Sequence, residues 1–460
     1  MSVRRWHTKR RWEGLGGLAL LLAACGECRA QSFQGALGQA YLYNPQLTAA
    51  RAGLRQADEG VPRALSGWRP SVSVIGEIGR SVVSDSLVRA NPEHRIPQAV
   101  IGTVTQPLYT GGRVSSQVQQ AEAQVLAQRA QLRNTEATVL LAAGTAYLDV
   151  ARDQRTVGLN RANAALLDRT LHAAEQQYAA GDITLADVAQ ARARDADGRA
   201  QLAMAESQLA ASRATYEQQV GSLPGSLDLP RLSLKLPRSR EVAVAQALAG
   251  NFAVRAARET FAASEAAVGV AEAGLRPNIS LTGQLSRLKE TNVQALHQRD
   301  NTAEADLLFS VPIYQGGGVS AQVRAAKEGA NQSRLQIDVS LREARREALT
   351  AWDTLTATAV QLAAAHTSVG ANEVATRGVV RQQSVGARTL LDVLNAQQEL
   401  FSANVRAVSA EHDQLAASLQ LLNAVGGLGA AELRLPVVIY DPLRHYDETR
   451  GRWLGNTPAP

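Results

Sequence analysis

At 460 residues the chain has room for two or three ordinary domains or for one extended unit. Apolar residues make up 45% of it, but Ala supplies much of that share and aromatics only 4%, which favours long, closely approaching helices over the thick core of a sheet-and-helix enzyme. The formal charge of +6 is misleading, because leaving out the six basic and two acidic residues of 1–30 leaves 42 basic residues against 40 acidic ones, a balance that does not support a nucleic-acid partner.

Residues 1–30 have the form of a signal segment. A basic start (Arg4, Arg5, Lys9, Arg10, Arg11) leads into the apolar run Leu15–Ala24, which is too short to span a bilayer. Two processing routes fit. Cleavage after Ala30 frees Gln31 and is slightly favoured; alternatively Leu22-Ala23-Ala24-Cys25 resembles a lipoprotein box and leaves Cys25 acylated. Either route takes the chain out of the cytoplasm. Cys25 and Cys28 are the only cysteines, so their C-x-x-C spacing lacks partners for a zinc or redox site. A mature chain without disulfides depends on packing or oligomerisation.

The remainder is a tandem duplication of one large unit. Asn44–Gly79 ends W-R-P-S-V-S-V and Asn251–Ser286 ends L-R-P-N-I-S-L. Pro107-Leu-Tyr-Thr-Gly-Gly-Arg-Val114 is answered by Pro312-Ile-Tyr-Gln-Gly-Gly-Gly-Val319. The expected division is 31–221 for the first repeat, 222–240 for a Pro- and Leu-containing linker, 241–426 for the second repeat and 427–460 for a C-terminal equatorial tail, packed on the outside.

Each repeat opens with a helical stretch, Asn44–Ser66 or Asn251–Gly274, stopped by Pro70 or Pro277. Alternating segments follow. Ile279, Leu281, Gly283 and Leu285 face one way and Ser280, Thr282, Gln284 and Ser286 the other, with a partner strand through Ala303, Ala305, Leu307 and Phe309; the first repeat does this more loosely through Val72, Val74, Ile78, Val100 and Val104. These read as strands of about ten residues with one apolar and one polar face, which suits a half-buried sheet or a membrane barrel with a wet lumen. Two hairpins alone leave open edges, so closure needs strands from other copies of the chain. The pairs Gly111-Gly112 and Gly316-Gly317 mark strand-to-helix transitions rather than a phosphate loop. Val125, Leu132, Val139 and Ala146, then Val150, Val157, Ala164 and Leu171, set a heptad stripe with a stutter, and Val323, Ala330, Ile337, Ala344 and Ala351 repeat it. A helix of that extent spans about 100 Å.

The long helices turn at Ala180–Arg192 (A-G-D-I-T-L-A-D-V-A-Q-A-R) and Val385–Gln397 (V-G-A-R-T-L-L-D-V-L-N-A-Q). Gly181 and Gly386 end one helix; Thr184 with Asp187, and Thr389 with Asp392, have capping-box spacing. The misfit is Arg388, a cation just before a helix start, which calls for a nearby anion such as Asp187 of the neighbouring tip. The seven histidines are scattered without ligand spacing, and no Walker sequence occurs. No metal, cofactor or catalytic constellation is expected.

Together, the N-P-x-L opening (Asn44, Pro45, Leu47), the two R-P strand openings, the two Y-x-G-G turns and the V-G-x-R-T-x-x-D-V-L tip resemble the TolC family of outer-membrane channel-tunnels over essentially the whole mature chain. The resemblance implies an α+β membrane protein: a homotrimer whose four strands per chain make a twelve-stranded transmembrane β-barrel in outer-membrane lipid, continued by an α-helical periplasmic barrel. It implies a periplasmic adaptor and an inner-membrane ABC transporter as partners. It also implies a gate at the tips, with Asp187, Arg388 and Asp392 at charged positions, Gln383 where the family has an aromatic residue and Asn395 where it has a second acid. The tail, Tyr440-Asp441-Pro442 to Trp453, is similar to that of members serving type I secretion, which makes a polypeptide such as an RTX-type toxin the expected cargo. A multidrug efflux duct and, in another class, a periplasmic adaptor with helical hairpins are the alternatives.

Overall fold

The computed structural model describes residues 32–83, 93–230, 234–292 and 297–457. The N-terminal segment with Cys25 and Cys28 lies outside the described residues, as do 231–233 of the linker.

Each repeat begins with short helices: α1 (Phe33–Tyr43), α2 (Pro45–Asp58) and α3 (Gly60–Leu65) in the first, α6 (Arg240–Gly250) and α7 (Phe252–Glu272) in the second. Asparagine sets the break between them. Asn44 Oδ1 accepts from the N–H of Gln46, and Pro45 follows at the first helical position, where its missing donor costs nothing. Asn44 Nδ2 donates to the carbonyl of Gln219, near the end of the return helix α5 (Leu185–Val220). Asn251 repeats the device, capping Ala253 and Val254 and reaching Ala424 at the end of α9 (Leu390–Ala424). One side chain in each repeat thus ties the opening helices to the closing one.

The strands are β1 (Ser71–Ile78), β2 (Ser81–Val83), β3 (Glu93–Tyr109), β4 (Asn278–Asn292) and β5 (His297–Ser310). They form one antiparallel sheet in the order β1-β3-β4-β5, with β2 prolonging β1 along β3. At 17, 15 and 14 residues, β3, β4 and β5 exceed the ten expected. β3 runs through two prolines: Pro97 stays in register, its carbonyl accepting from the N–H of Gly79, and Pro107 falls at a bulge.

In the rows nearest the helices, register sorts the side chains by polarity. Val72, Val104, Gly283 and Ala305 share one row, and Val74, Gly102, Leu285 and Ala303 the next, on the apolar face. Ser71, Thr105, Thr282 and Asp306, then Ser73, Thr103, Gln284 and Glu304, line the other. The apolar face is uncovered: Val74 is 72% exposed, Leu285 67% and Phe309 61%. Both edges, β1 and β5, lack a partner strand among the described residues.

At the corners, Gly111 (φ 65°) and Gly112 (φ 87°), and Gly316 (φ 61°) and Gly317 (φ 79°), hold left-handed backbone. A Cβ on Gly111 would also sit 2.9 Å from the carbonyl oxygen of Ala273. From there run α4 (Arg113–Ala180, 68 residues) and α8 (Gly318–Ser384, 67 residues), each about 100 Å long. Val125, Leu132, Val139, Ala146, Val150, Val157, Ala164 and Leu171 are all buried along α4. The main core gathers around the middle of α4 with α1, α2, the C-terminal half of α5 and the tail; within it Tyr147 meets Phe33 edge to face and Tyr216 at a tilt.

The linker and tail lie on this equator. Gln154 of α4 holds the linker at both ends of its amide, donating to Gly225 and accepting from Leu227. The tail is more deeply seated than its composition suggests. Leu428 and Ala430 are buried, Glu136 accepts from the N–H of Ala430, Tyr41 Oη accepts from the N–H of Tyr440, and Arg69 stacks on Trp453. His445, on the short α10 (Arg444–Thr449), meets fully buried Asp58 at 3.1 Å. Burial pushes the Asp58 carboxyl up, against the pull of His445 and Arg129.

Candidate functional site

The two helix turns lie at the end of the hairpins farthest from the sheet. In the first, the N–H groups of Gly181 and Asp182 return to Tyr178 and Gln177, closing α4 through Gly181 at φ 85°. The Thr184 hydroxyl then accepts from the N–H of Asp187, and Asp187 Oδ2 accepts from the N–H of Thr184 at 3.0 Å and from its hydroxyl at 2.7 Å. The second turn repeats every element. Gly386 (φ 77°) and Ala387 return to Gln383 and Gln382, and Thr389 and Asp392 form the same reciprocal pair. Both carboxyls are held below the ordinary aspartate range, Asp187 chiefly by the Thr184 hydroxyl and Asp392 chiefly by the Thr389 backbone N–H.

The turns differ in their charge. Arg388 donates through Nε to Gln382 Oε1 at 3.1 Å, and its Nη1 lies 3.9 Å from Asp392 Oδ1. The anion beside Arg388 within the chain is therefore Asp392, the capping acid of its own turn, and not Asp187 as its position suggested. Local geometry decides this: i and i+4 on one helix start are neighbours whatever the other turn does. At 51% and 38% side-chain exposure this contact is wet and weak. Gln383 contributes its carbonyl to the turn, accepting from Gly386.

Asn395 stands one turn into α9. Its Oδ1 accepts from Arg194 Nη2 of α5 at 3.0 Å, a link between the two hairpins. Sequence reasoning missed Arg194, since nothing local connects residues 201 positions apart; the only available signal was that repeats with adjacent tips must also face each other one turn in. A small apolar cluster supports the link: Leu171, Ala174, Val188 and Ala191 of the first hairpin, with Ile183, receive Leu390 from the second. Arg192 to Glu175, and Arg199 to Asp168 and Asp195, stitch the first hairpin along its length. Farther up, His412 of α9 lies between Asp413 and Asp149 of α4, each at 2.9 Å. Burial opposes its charge, but the two carboxylates prevail and its pKa is raised.

This site has no geometry for bond chemistry. What it offers is two exposed, stiffly capped turns joined by polar contacts that open without breaking a core. No helix among the described residues is long and apolar enough to cross a membrane.

Comparison with known proteins accounts for this architecture. The family model described as "Outer membrane efflux protein" matches residues 36–222 and 243–427. The outer membrane efflux protein BepC of Brucella suis biovar 1 is 36% identical over 425 residues, 92% of each chain. The alkaline protease secretion protein AprF of Pseudomonas aeruginosa is 24% identical over 339 residues, 72% of this chain and 70% of its own. Among solved structures, the Campylobacter jejuni CmeC outer membrane channel superposes with a TM-score of 0.77 over 91% of this chain and 89% of that one, at 15% identity.

Proposed function

The chain belongs to the outer membrane efflux protein family, a TolC-type outer-membrane channel reaching into the periplasm and not an enzyme, and from that premise we propose that it is the passive exit duct of a tripartite export system, gated at its hairpin tips. One observation carries the reading: the protomer leaves its sheet edges open and its apolar strand face bare. Three copies, each adding four strand lines, would close a twelve-stranded barrel, put the Ser/Thr/Asp/Glu rows inside and give lipid the Val/Leu rows. The same closure gathers six tip turns around one opening. A periplasmic adaptor and an inner-membrane transporter then supply cargo and energy. A periplasmic-adaptor role for this chain falls with the family assignment.

Asp187, Arg388, Asp392, Gln383 and Asn395 make up the gate in this reading, with Arg194 added by the structure. Among the described residues Arg388 is held by Gln382 and Asp392 alone, which leaves it able to bridge to a neighbouring copy. Arg388→Ser should raise single-channel conductance severalfold while leaving trimer mass unchanged; unchanged conductance would return these residues to ordinary turn chemistry.

The duct itself has no cargo-selecting pocket in this account, so the transporter sets the cargo. Type I secretion of a polypeptide is supported by the tail and by the name of AprF. Efflux of small molecules is supported by the name of BepC, which aligns over more of the chain at higher identity. Deleting the gene separates them: loss of a polypeptide from the culture medium at unchanged drug tolerance supports secretion, and the reverse supports efflux.

A further inference from the structure

The apolar face of the sheet ends differently at its two ends. Nearest the helices it carries Tyr109 and Phe309, with Tyr314 just beyond, the aromatic girdle expected where a barrel meets the membrane interface. The far end has no such girdle: from 71 to 108 and from 278 to 308 the sequence contains no Phe, Trp or Tyr. Basic residues stand there instead. Lys289 of β4 pairs directly with Arg299 of β5, and Arg287 lies two residues along β4 on the same face, between Val100 and Asn301. Arg287 and Arg299 are exposed and Lys289 half-buried.

Like charges directly opposite across a ladder are destabilising. Beyond the backbone ladder, no side-chain hydrogen bond or ion pair is made by any of the three among the described residues. Protection of an open edge fits Arg299 on β5 but does not explain Arg287 and Lys289, which sit on β4, an interior strand. Their height does. From Phe309 to Arg299 is ten residues, roughly 34 Å along the strand and about 25 Å along the normal of a tilted barrel, the height of the apolar band of such barrels. The helices fix the Phe309 end on the periplasmic side, so the basic cluster falls at the headgroups of the outer leaflet.

We propose that Arg287, Lys289 and Arg299 form an anion site on the outer wall of the barrel, holding the phosphorylated headgroup of an outer-leaflet lipid. Two or more phosphate oxygens would neutralise the Lys289–Arg299 pair through charge-assisted hydrogen bonds, and each trimer would carry three such sites. The inference rests on the barrel reading above.

The test uses full-length protein, extracted in detergent, stripped of lipid and incubated with diphosphoryl lipid A, with bound lipid read by native mass spectrometry. Wild type should retain lipid A. Arg287→Gln with Lys289→Gln and Arg299→Gln should bind it about a hundredfold more weakly, since each basic group at an anionic surface contributes about a factor of five. Exchanging Lys289→Arg and Arg299→Lys should keep binding, and lipid A lacking both phosphates should bind wild type as weakly as intact lipid A binds the triple variant. Equal binding by wild type and triple variant, equal binding of the dephosphorylated lipid, or displacement by millimolar inorganic phosphate would each overturn the proposal. If the triple variant does not assemble, Lys289→Gln alone, with about a fivefold loss, carries the same test. Trimer mass and conductance are measured on the same samples. A conducting trimer indifferent to lipid A sinks this site alone, whereas a monomer sinks the barrel reading beneath it.

Discussion

Helices α4 and α8 are duplicates in sequence, length and corner geometry, yet their surroundings are opposite. Along its 68 residues α4 has twenty-four buried positions; along its 67, α8 has six. The first is the spine of the equatorial core, flanked by α1, α2, α5, α7 and the tail. The second carries Val339, Val360 and Val374 in the open, 56%, 68% and 63% exposed. These valines are separated by whole multiples of seven residues, so they lie on one heptad stripe, an uncovered coiled-coil seam. Duplication supplied the same inner stripe to both helices, and Val323, Ala330, Ala344 and Ala351 of α8 are buried like their counterparts in α4; the valines form a second stripe on α8 that the fold leaves for a second copy.

Substitutions can break that comparison at its strongest point. Leu148→Ala, at a fully buried position on α4, should cost the protomer about 2–5 kcal/mol, measured as a lower urea midpoint. Val339→Asp with Val360→Asp on α8 should leave the protomer's circular dichroism intact and abolish the trimer in sizing with light scattering. If both variants lose protomer stability alike, the two helices are not different in kind.

The tail clasp tests the same contrast, because it covers the first repeat and has no counterpart on the second among the described residues. His445→Ala removes the partner of buried Asp58, and breaking such a pair costs about 3–5 kcal/mol. Limited proteolysis should then cleave the tail ahead of the helical body.

The bridge from α4 to α9 gives a pH signature. The His412 pKa is raised above its ordinary 6.5, so the bridge contributes fully below pH 6.5 and its contribution is lost as the pH rises through the raised value. Thermal unfolding followed across that range should show a decline that His412→Gln removes.

At the tips the two repeats are alike, and the smallest effects are expected there. Thr184→Ala and Thr389→Ala should each weaken helix starts by about 1 kcal/mol, seen as faster hydrogen exchange in α5 and α9. The acids run the opposite way to His412. Because Asp187 and Asp392 are held below the ordinary value of 3.8, the caps are intact above it and are lost only as the pH falls through their depressed values.

Much of this was legible in the chain. The heptads through Val125 and Leu132 mark the buried face of α4, the glycine pairs mark the corners, and the T-x-x-D spacings mark both helix starts, because each depends on neighbours within a few residues. What could not be read depends on what comes from elsewhere. A heptad stripe does not say what covers the other faces of its helix, so the contrast between α4 and α8 was invisible. Arg194 and Asn395 meet across the fold. Arg388 turned to the acid of its own turn, where its place in the sequence pointed across to Asp187. The tail is seated by single contacts such as Tyr440 to Tyr41, which leave no periodic trace, and the alternation of the strands does not say how far beyond ten residues the ladders run.

The central claim is that the uncovered stripe and the two open sheet edges belong to one closed trimer. The direct measurement is the mass of the detergent-extracted, full-length protein by light scattering, with conductance of the same fraction in planar bilayers. A homogeneous trimer that forms discrete channels is the predicted result. A monodisperse monomer that leaves the bilayer silent would contradict the account.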